Sequence, residues 1–202
     1  SSLPAEVTTV AEVLRDHGYY TQGFANNPNI DSSLQFDQGF HEYVDLGTNL
    51  HFGASPSASS LSLYRILRVV RLKALERAAR LPLVGRAFGR MDVHDFYQPA
   101  EDVNRAVFRW LDSERAPKDG PFLLFVHYMD PHDPYFDRET GAAYARAQNA
   151  HPDPDTLLDP MVKAYRDEIE HLDRHLGEFL EGLKRRGLYD NTLIVFTSDH
   201  GE

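Results

Sequence analysis

Two short, continuous apolar runs constrain the fold of this chain more than any other feature of its sequence. One run spans residues 122–126 (Phe-Leu-Leu-Phe-Val) and the other spans residues 192–197 (Thr-Leu-Ile-Val-Phe-Thr). Apolar runs of this length without polar alternation are typical of strands that are buried on both faces of a sheet. We therefore expect both runs to be buried strands of a parallel sheet.

Segments with helical spacing alternate with these strands. Thr9 and Glu12 have the spacing of a capping box and predict a helix that ends at Gly18, a residue suited to the left-handed position after a helix. Apolar spacing predicts two further helices and one further strand, over residues 101–112, 165–186 and 20–25. The alternation predicts an α/β fold with a mostly parallel sheet that is covered by helices on both faces.

The composition excludes several classes of protein. The chain has 202 residues, of which 42% are hydrophobic and 26% are charged, so collagen-like, low-complexity and largely disordered chains are excluded. It carries 31 acidic residues against 21 basic ones, a net charge of −10, which disfavours a general nucleic-acid binder. It contains no cysteine, and disulfides, thiolate metal sites and a Cys nucleophile are therefore excluded within these residues.

One basic segment stands out in this acidic chain. Residues 61–90 contain seven Arg and Lys73 against a single acid, Glu76, and they follow a Ser/Ala/Pro-rich stretch. The spacing of Leu63, Leu67 and Val70 predicts a basic helical insert at about 54–95. Such a helix can rest on an anionic membrane or an acidic partner, or it can be a solvated excursion over the acidic body of the domain, the interpretation that we favour.

Polar and ionisable side chains follow each predicted strand at its carboxyl end. They are His127, Asp130 and His132 after the first apolar run, Asp199 and His200 after the second, and Asn26 and Asn27 after residues 20–25. In open α/β sheets the ligand crevice lies beyond the carboxyl ends of the strands, so these side chains can face one pocket. A carboxylate beside an imidazole suits a divalent cation that acts as a Lewis acid on an anionic ester.

Each of these residues also has a purely structural interpretation. Asp-His-Gly is by itself an ordinary turn sequence. Asp130 precedes a proline, and its carboxylate can simply cap backbone N–H groups. His127 can be a hydrogen-bonded histidine of the core, and Asn26 and Asn27 can belong to an asparagine-rich turn.

Taken together, the order and spacing of these blocks resemble the sulfatase family of the alkaline-phosphatase superfamily. The resemblance is carried by residues 8–21, by Phe-Asp-Gln-Gly-Phe at 36–40, by residues 122–135, and most closely by residues 165–202 with their Thr-Ser-Asp-His-Gly-Glu ending. The residues from about 45 to 100 have no counterpart in the family that we can place. The resemblance implies an alkaline-phosphatase-like α/β fold.

The resemblance also implies that residues 1–202 are a single, partial sulfatase-type catalytic domain. The family's nucleophile is a Cys or Ser, matured to formylglycine in sulfatases, and with its acidic metal pair it lies N-terminal to the segment that matches Ser1. A further metal-site lysine lies beyond Glu202. We therefore expect these residues to be a fragment that is inactive by itself.

Site residues are carried over from the family position by position. Asp199 and His200 correspond to metal ligands, and His132 corresponds to the histidine that contacts or protonates the ester oxygens. We expect His127, Asp130, Asn26 and Asn27 to bind the substrate. The resemblance implies one divalent metal ion, Ca²⁺ in most of the family and Zn²⁺ or Mn²⁺ in its phosphatase-like relatives.

Three functions are compatible with this resemblance. The first is a metal-dependent sulfuric ester hydrolase acting on a small-molecule, glycan or lipid sulfate, in an extracytoplasmic location by the habit of the family. The second is a phosphoryl or phosphonate ester hydrolase or transferase on the same scaffold, because neutral Asn26 and Asn27 follow the strand where many sulfatases have a Lys-x-His pair. The third is a noncatalytic binding domain with a degenerate site.

Overall fold

The computed structural model describes residues 2–47, 70, 97–137, 142–144 and 160–201. Apart from Val70, the predicted basic insert at about 54–95 lies outside the described residues. The elements in chain order are α1 (Val10–Asp16), β1 (Tyr20–Ala25), β2 (Glu42–Asp45), α2 (Ala100–Leu111), β3 (Phe122–Val126), β4 (Tyr135–Asp137), β5 (Ala142–Tyr144) and α3 (Pro160–Arg185). Two 3₁₀ turns lie at Ser32–Leu34 and Tyr189–Asn191. Within this part of the chain, no helix is long and apolar enough to cross a membrane.

A parallel sheet of three strands forms the centre of the fold, as the sequence predicts. The strand order is β2-β1-β3, and both pairings with the central strand β1 are parallel. The register aligns Tyr20 with Phe122 and Gln22 with Glu42, so the carboxyl ends of the three strands meet at one edge. A separate antiparallel pair, β4-β5, was not expected from the sequence.

The core lies between one face of this sheet and α2. Phe24 of β1 is 2% exposed, and its ring meets the ring of Trp110 edge-on with centroids 6.3 Å apart. Trp110 also makes an edge contact with Phe122 of β3 at 6.0 Å. Offset and edge-to-face aromatic pairs of this kind contribute beyond their buried area, so α2 is held firmly over β1 and β3.

The first helix begins as its sequence predicts. Thr9 Oγ1 accepts a hydrogen bond from the Glu12 N–H at 3.1 Å, and Glu12 Oε2 accepts one from the Thr9 N–H at 2.9 Å. These two bonds form the complete capping box and satisfy two backbone donors at the helix start. Gly18 follows the helix with a φ of +86°, the left-handed conformation that glycine adopts without a steric penalty.

The longest helix, α3, packs beside α2 through an unusually close approach. The rings of Phe108 and Phe179 stack with centroids 5.7 Å apart, and Gly182 lies directly against the Phe108 ring. At the helix ends, Arg186 makes two hydrogen bonds to the carboxylate of Asp112, at 2.8 and 2.7 Å. The helix begins five residues earlier than predicted, and its buried side includes Glu168 and His171 as well as apolar residues.

The prediction of a buried strand at residues 192–197 is wrong in this structure. The segment follows the 3₁₀ turn at Tyr189–Asn191 and has neither a helix nor a strand assignment. Leu193 and Val195 are 90% and 79% exposed. An apolar run becomes a strand only when a neighbouring strand takes up its backbone hydrogen bonds, and no described strand pairs with this one.

The other apolar run is a strand, but it is not fully buried. Residues Phe122–Val126 form β3 with the predicted bounds, while Phe125 is 36% exposed on the face of the sheet away from Trp110. On that face Phe125 packs beside Phe40, which in turn packs against Tyr43 of β2. Within the described residues, β3 is therefore less deeply buried on the face of Phe125 than on the face towards Trp110.

Candidate functional site

His127 lies at the carboxyl end of β3. Its backbone N–H donates to the carbonyl of Phe24 at 3.0 Å, which extends the pairing with β1. Burial lowers the pKa of its imidazole, and the negative charge of Asp199 acts in the opposite direction. Nδ1 of the ring is buried and has no hydrogen-bond partner among the described residues. Burial thus favours the neutral form of the ring, and one of its nitrogens has no hydrogen-bond partner among the described residues.

His132 follows His127 in the loop after β3. Its backbone N–H donates to the Met129 carbonyl at 3.0 Å, and its Nδ1 lies 2.6 Å from the Asp133 carbonyl oxygen. A carbonyl oxygen can only accept, so Nδ1 carries a proton, and Nε2 is the nitrogen left to exchange one. The side chain is exposed, and its charge contributes to the lowered pKa of His127. The two imidazoles therefore interact at the same edge of the sheet.

Asp199 and His200 lie in the exposed segment that follows residues 192–197. Asp199 Oδ1 accepts a hydrogen bond from the His200 N–H at 3.0 Å, and this bond is the main reason that the pKa of Asp199 is lowered. The imidazole Nε2 of His200 lies 3.7 Å from Asp199 Oδ2. The negative charge of Asp199 acts on the His127 imidazole and partly opposes the lowering of its pKa by burial. Metal binding by the pair stays a prediction.

Asp130 occupies a different environment from the neighbouring histidines. It is 0% exposed, and its Oδ1 accepts a hydrogen bond of 3.0 Å from the N–H of Ala100 at the start of α2. Its backbone carbonyl accepts from the hydroxyl of Tyr97 at 2.9 Å. This is the capping role that the sequence left open as the structural interpretation, and such burial does not favour the predicted contact with substrate.

The two asparagines after β1 also differ in how deeply they are buried and in what they contact. Asn26 is 1% exposed and makes reciprocal hydrogen bonds with the backbone of Gln98, at 2.7 Å to its carbonyl and 2.9 Å from its N–H. Asn27 is half-buried, accepts from the Asn29 N–H at 2.8 Å, and directs its amide towards Met129 Sδ at 3.4 Å. Asn26 therefore ties β1 to the start of α2, while Asn27 borders the loop that carries His132.

A second polar group, which the sequence analysis missed, lies between α2 and α3. Glu101 Oε2 lies 2.8 Å from His171 Nε2 and 3.7 Å from His175 Nε2, and one ligand atom from each residue falls within 4.8 Å of the others. We call Glu101, His171 and His175 the interhelical cluster. The i, i+4 spacing of two histidines on one helix could have revealed it, but the apolar stripe of α3 concealed that signal.

The interhelical cluster is the one group of three or more metal-competent side chains with this spacing in the described part of the chain. Asp199 and His200 supply a carboxylate and an imidazole, but no third such residue joins them there. Over these residues, the predicted pocket is therefore a partial set, in which the charges of His132 and Asp199 act on the pKa of His127.

Comparisons with known proteins agree with the sequence resemblance. The sequence profile of the Sulfatase family matches residues 1–202. Steryl-sulfatase of Rattus norvegicus is 33% identical over 90 residues, covering 45% of this chain and 13% of that protein. Endo-4-O-sulfatase of Bacteroides thetaiotaomicron is 34% identical over 121 residues, covering 52% of this chain and 23% of that protein.

A third relative has a different name. The low-salt glycan biosynthesis sulfotransferase of Haloferax volcanii is 40% identical over 98 residues, covering 46% of this chain and 22% of that protein. The chain thus matches less than a quarter of the length of each of these three relatives. No solved structure matches it significantly.

Proposed function

The chain belongs to the sulfatase family, and from this premise we propose that the protein carrying it is a metal-dependent hydrolase of sulfate esters. One observation supports this function above the others. The pKa of the buried His127 imidazole, whose Nδ1 has no hydrogen-bond partner among the described residues, responds to the charges of both His132 and Asp199. Charges from two distant parts of the sequence thus act on an imidazole at the carboxyl edge of a parallel sheet, where ligands bind in such folds.

Asp199 and His200 fit the divalent metal ion that the family implies. Asp199 is exposed, and the lowered pKa of its carboxyl keeps it ionised near neutral pH. His200 adds an imidazole nitrogen 3.7 Å from that carboxylate. We propose that both bind the ion together with ligands beyond the described residues; the habit of the family is Ca²⁺, whereas an imidazole ligand favours Zn²⁺. When bound, the ion would neutralise charge on the ester oxygens.

The histidines of the loop after β3 would handle the ester itself. Nδ1–H of His132 is held by the Asp133 carbonyl, which leaves Nε2 on the exposed side of the ring to receive or deliver a proton. The neutral ring of His127 can donate or accept one hydrogen bond through Nδ1, and a bound ester oxygen would satisfy that buried atom. Asn27 borders this loop and can donate a hydrogen bond without adding charge.

A second candidate reaction is transfer of the sulfuryl group to an acceptor other than water. The sulfotransferase name of the Haloferax volcanii relative favours it. The two reactions share the metal-binding and ester-binding residues and differ only in whether water or an alcohol receives the group. Phosphate esters also stay an alternative substrate class, because neutral Asn26 and Asn27 stand where many sulfatases have basic side chains.

Hydrolysis of matched aryl esters by the full-length protein tests this proposal. The protein is stripped of metal with a chelator and assayed on an aryl sulfate and on the corresponding aryl phosphate, after addition of Ca²⁺, Zn²⁺ or Mn²⁺. Sulfate release that depends on one of these ions supports the sulfatase. Release of phosphate alone would replace it with the phosphoryl enzyme, and no turnover of either ester would favour a binding domain.

The same assay distinguishes hydrolysis from transfer. A simple alcohol is added at increasing concentration, and the sulfated alcohol is measured beside free sulfate. Constant sulfate release with no sulfated alcohol supports the hydrolase, whereas sulfated alcohol formed at the expense of free sulfate supports the transferase. An extracytoplasmic location, which we propose from the family alone, is tested separately by cell fractionation of the full-length protein.

A further inference from the structure

The interhelical cluster lies outside the residues assigned to the hydrolase site. We propose that Glu101, His171 and His175 form a second metal site, which takes a transition-metal dication of the zinc type and ties α2 to α3. This site does not depend on the proposed hydrolase activity, because none of its residues serves that reaction.

The three donor atoms lie close enough together to share one ion. His171 and His175 are four residues apart on α3, so their rings lie on one side of the helix, with centroids 4.4 Å apart. Glu101 reaches them from the first turn of α2. Ligands about 2.0–2.2 Å from a tetrahedral zinc ion are separated by about 3.4 Å. The observed separations of 2.8 and 3.7 Å from Glu101 Oε2 bracket that value.

Neighbouring carboxylates support the binding of a cation. Glu178 Oε2 lies 2.8 Å from Nδ1 of His175, which holds the ring proton there and leaves Nε2 as the ligand atom. On the other side, Asp130 Oδ1 lies 3.7 Å from His171 Nε2 and is buried. A bound ion would replace the hydrogen bond between His171 and Glu101, with the ring proton of His171 on Nδ1. Two imidazoles are thus placed among three carboxylates.

The cluster borders a surface groove at Glu101. A surface groove of about 320 Å³ between the two helices is lined in part by Glu101, Asn104 and Glu178. Three protein ligands leave a fourth position for water in a tetrahedral site. Two imidazoles and one carboxylate are the ligands that zinc and its neighbours prefer, whereas Ca²⁺ requires six or more oxygen ligands. The ligand set of the cluster therefore favours a zinc-type ion over Ca²⁺.

Titration with Co²⁺, a spectroscopic substitute for Zn²⁺, tests the site directly. The full-length protein carries Asp199→Ala and His200→Ala, so that the proposed hydrolase site does not contribute. We expect one equivalent of Co²⁺ to bind with the visible absorption of tetrahedral cobalt, and Zn²⁺ to displace it. Glu101→Gln and His175→Ala should each weaken binding by more than about 100-fold, beyond the usual effect of outer-shell changes.

Two further variants separate a metal site from a general effect of charge. Glu178→Gln removes the negative charge beside His175 Nδ1 and should weaken Co²⁺ binding by about 10-fold. Glu170→Gln removes an exposed carboxylate from the same helix and should leave it unchanged. Far-UV circular dichroism confirms that each variant is folded. The proposal is overturned if no Co²⁺ binds, or if Glu101→Gln and His175→Ala bind it as tightly as their parent.

Discussion

The carboxylate of Asp130 accepts a hydrogen bond of 3.0 Å from the N–H of Ala100, the first residue of α2. The residue before the helix is Pro99, whose side chain makes no capping hydrogen bond. A residue thirty positions further along the chain thus provides the cap, and a negative charge at this position also complements the helix dipole. The loop after β3 is fixed to α2 by the same bond, which positions His127 and His132.

Removal of this cap should destabilise the protein. Asp130→Ala removes a buried, charge-assisted hydrogen bond, and we expect the free energy of unfolding to fall by about 2 kcal/mol. Chemical denaturation of the full-length protein measures the change. Asp16→Ala removes an exposed carboxylate and should change stability by less than about 0.5 kcal/mol. Equal stability of the Asp130→Ala variant and the wild type would contradict the capping role.

The two asparagines after β1 should respond differently to substitution. Asn26→Ala leaves two backbone groups of Gln98 without their partner, and we expect a loss of about 2 kcal/mol in stability. Asn27→Ala should cost less than about 1 kcal/mol but raise KM for the ester, because this amide borders the substrate loop. Paired denaturation and steady-state kinetics separate the effects. A raised KM with unchanged stability in Asn26→Ala would reverse these assignments.

Two glycines of α3 provide a test of the contact between α2 and α3: Gly182 lies at the contact, and Gly177 serves as the control. Alanine is favoured over glycine within a helix by about 1 kcal/mol, and Gly177 has nothing within 4 Å of an added Cβ, so Gly177→Ala should stabilise the protein. In Gly182→Ala the added Cβ overlaps the Phe108 ring, and overpacking should lower stability by about 1 kcal/mol net. Thermal unfolding of both variants tests this, and equal stabilisation in both would contradict the close approach.

His127 should titrate below the ordinary range for histidine. Its pKa is lowered chiefly by burial, so in the metal-free protein its NMR titration midpoint should lie below about 6.5. Because the folded-state pKa is below the unfolded one, the associated stability is present above about pH 6.5 and is lost as the pH falls through the folded pKa. Asp199→Asn should lower the midpoint further, and an unchanged midpoint would argue against their proximity.

The local sequence predicts most of the described fold. The capping box at Thr9, the strand at residues 20–25 and the helix that starts near Glu101 depend on short-range spacing, and the structure contains all three. The apolar pattern of residues 192–197 is equally clear, yet the segment is exposed, because strand formation also depends on a neighbour that local sequence does not supply.

The candidate site was less predictable than the fold. Whether Asp130 faces a ligand or a helix end depends on where Ala100 lies, and that is a tertiary relationship. The burial of His171 likewise depends on α2, which is some 70 residues away in the chain. Sequence patterns identified ionisable residues near the end of β3, but they could not separate those that support helices from those that remain exposed.

Sulfate release from an aryl sulfate by full-length variants of Asp199 and His200 tests the central claim most directly. We expect Asp199→Ala and His200→Ala each to reduce kcat/KM by more than about 100-fold, since loss of a metal ligand should exceed the effect of an outer-shell change. The control variant Asp190→Ala removes an exposed carboxylate earlier in the same part of the sequence and should retain wild-type activity. Circular dichroism establishes that each variant is folded. Wild-type turnover by both the Asp199→Ala and His200→Ala proteins would contradict the metal assignment.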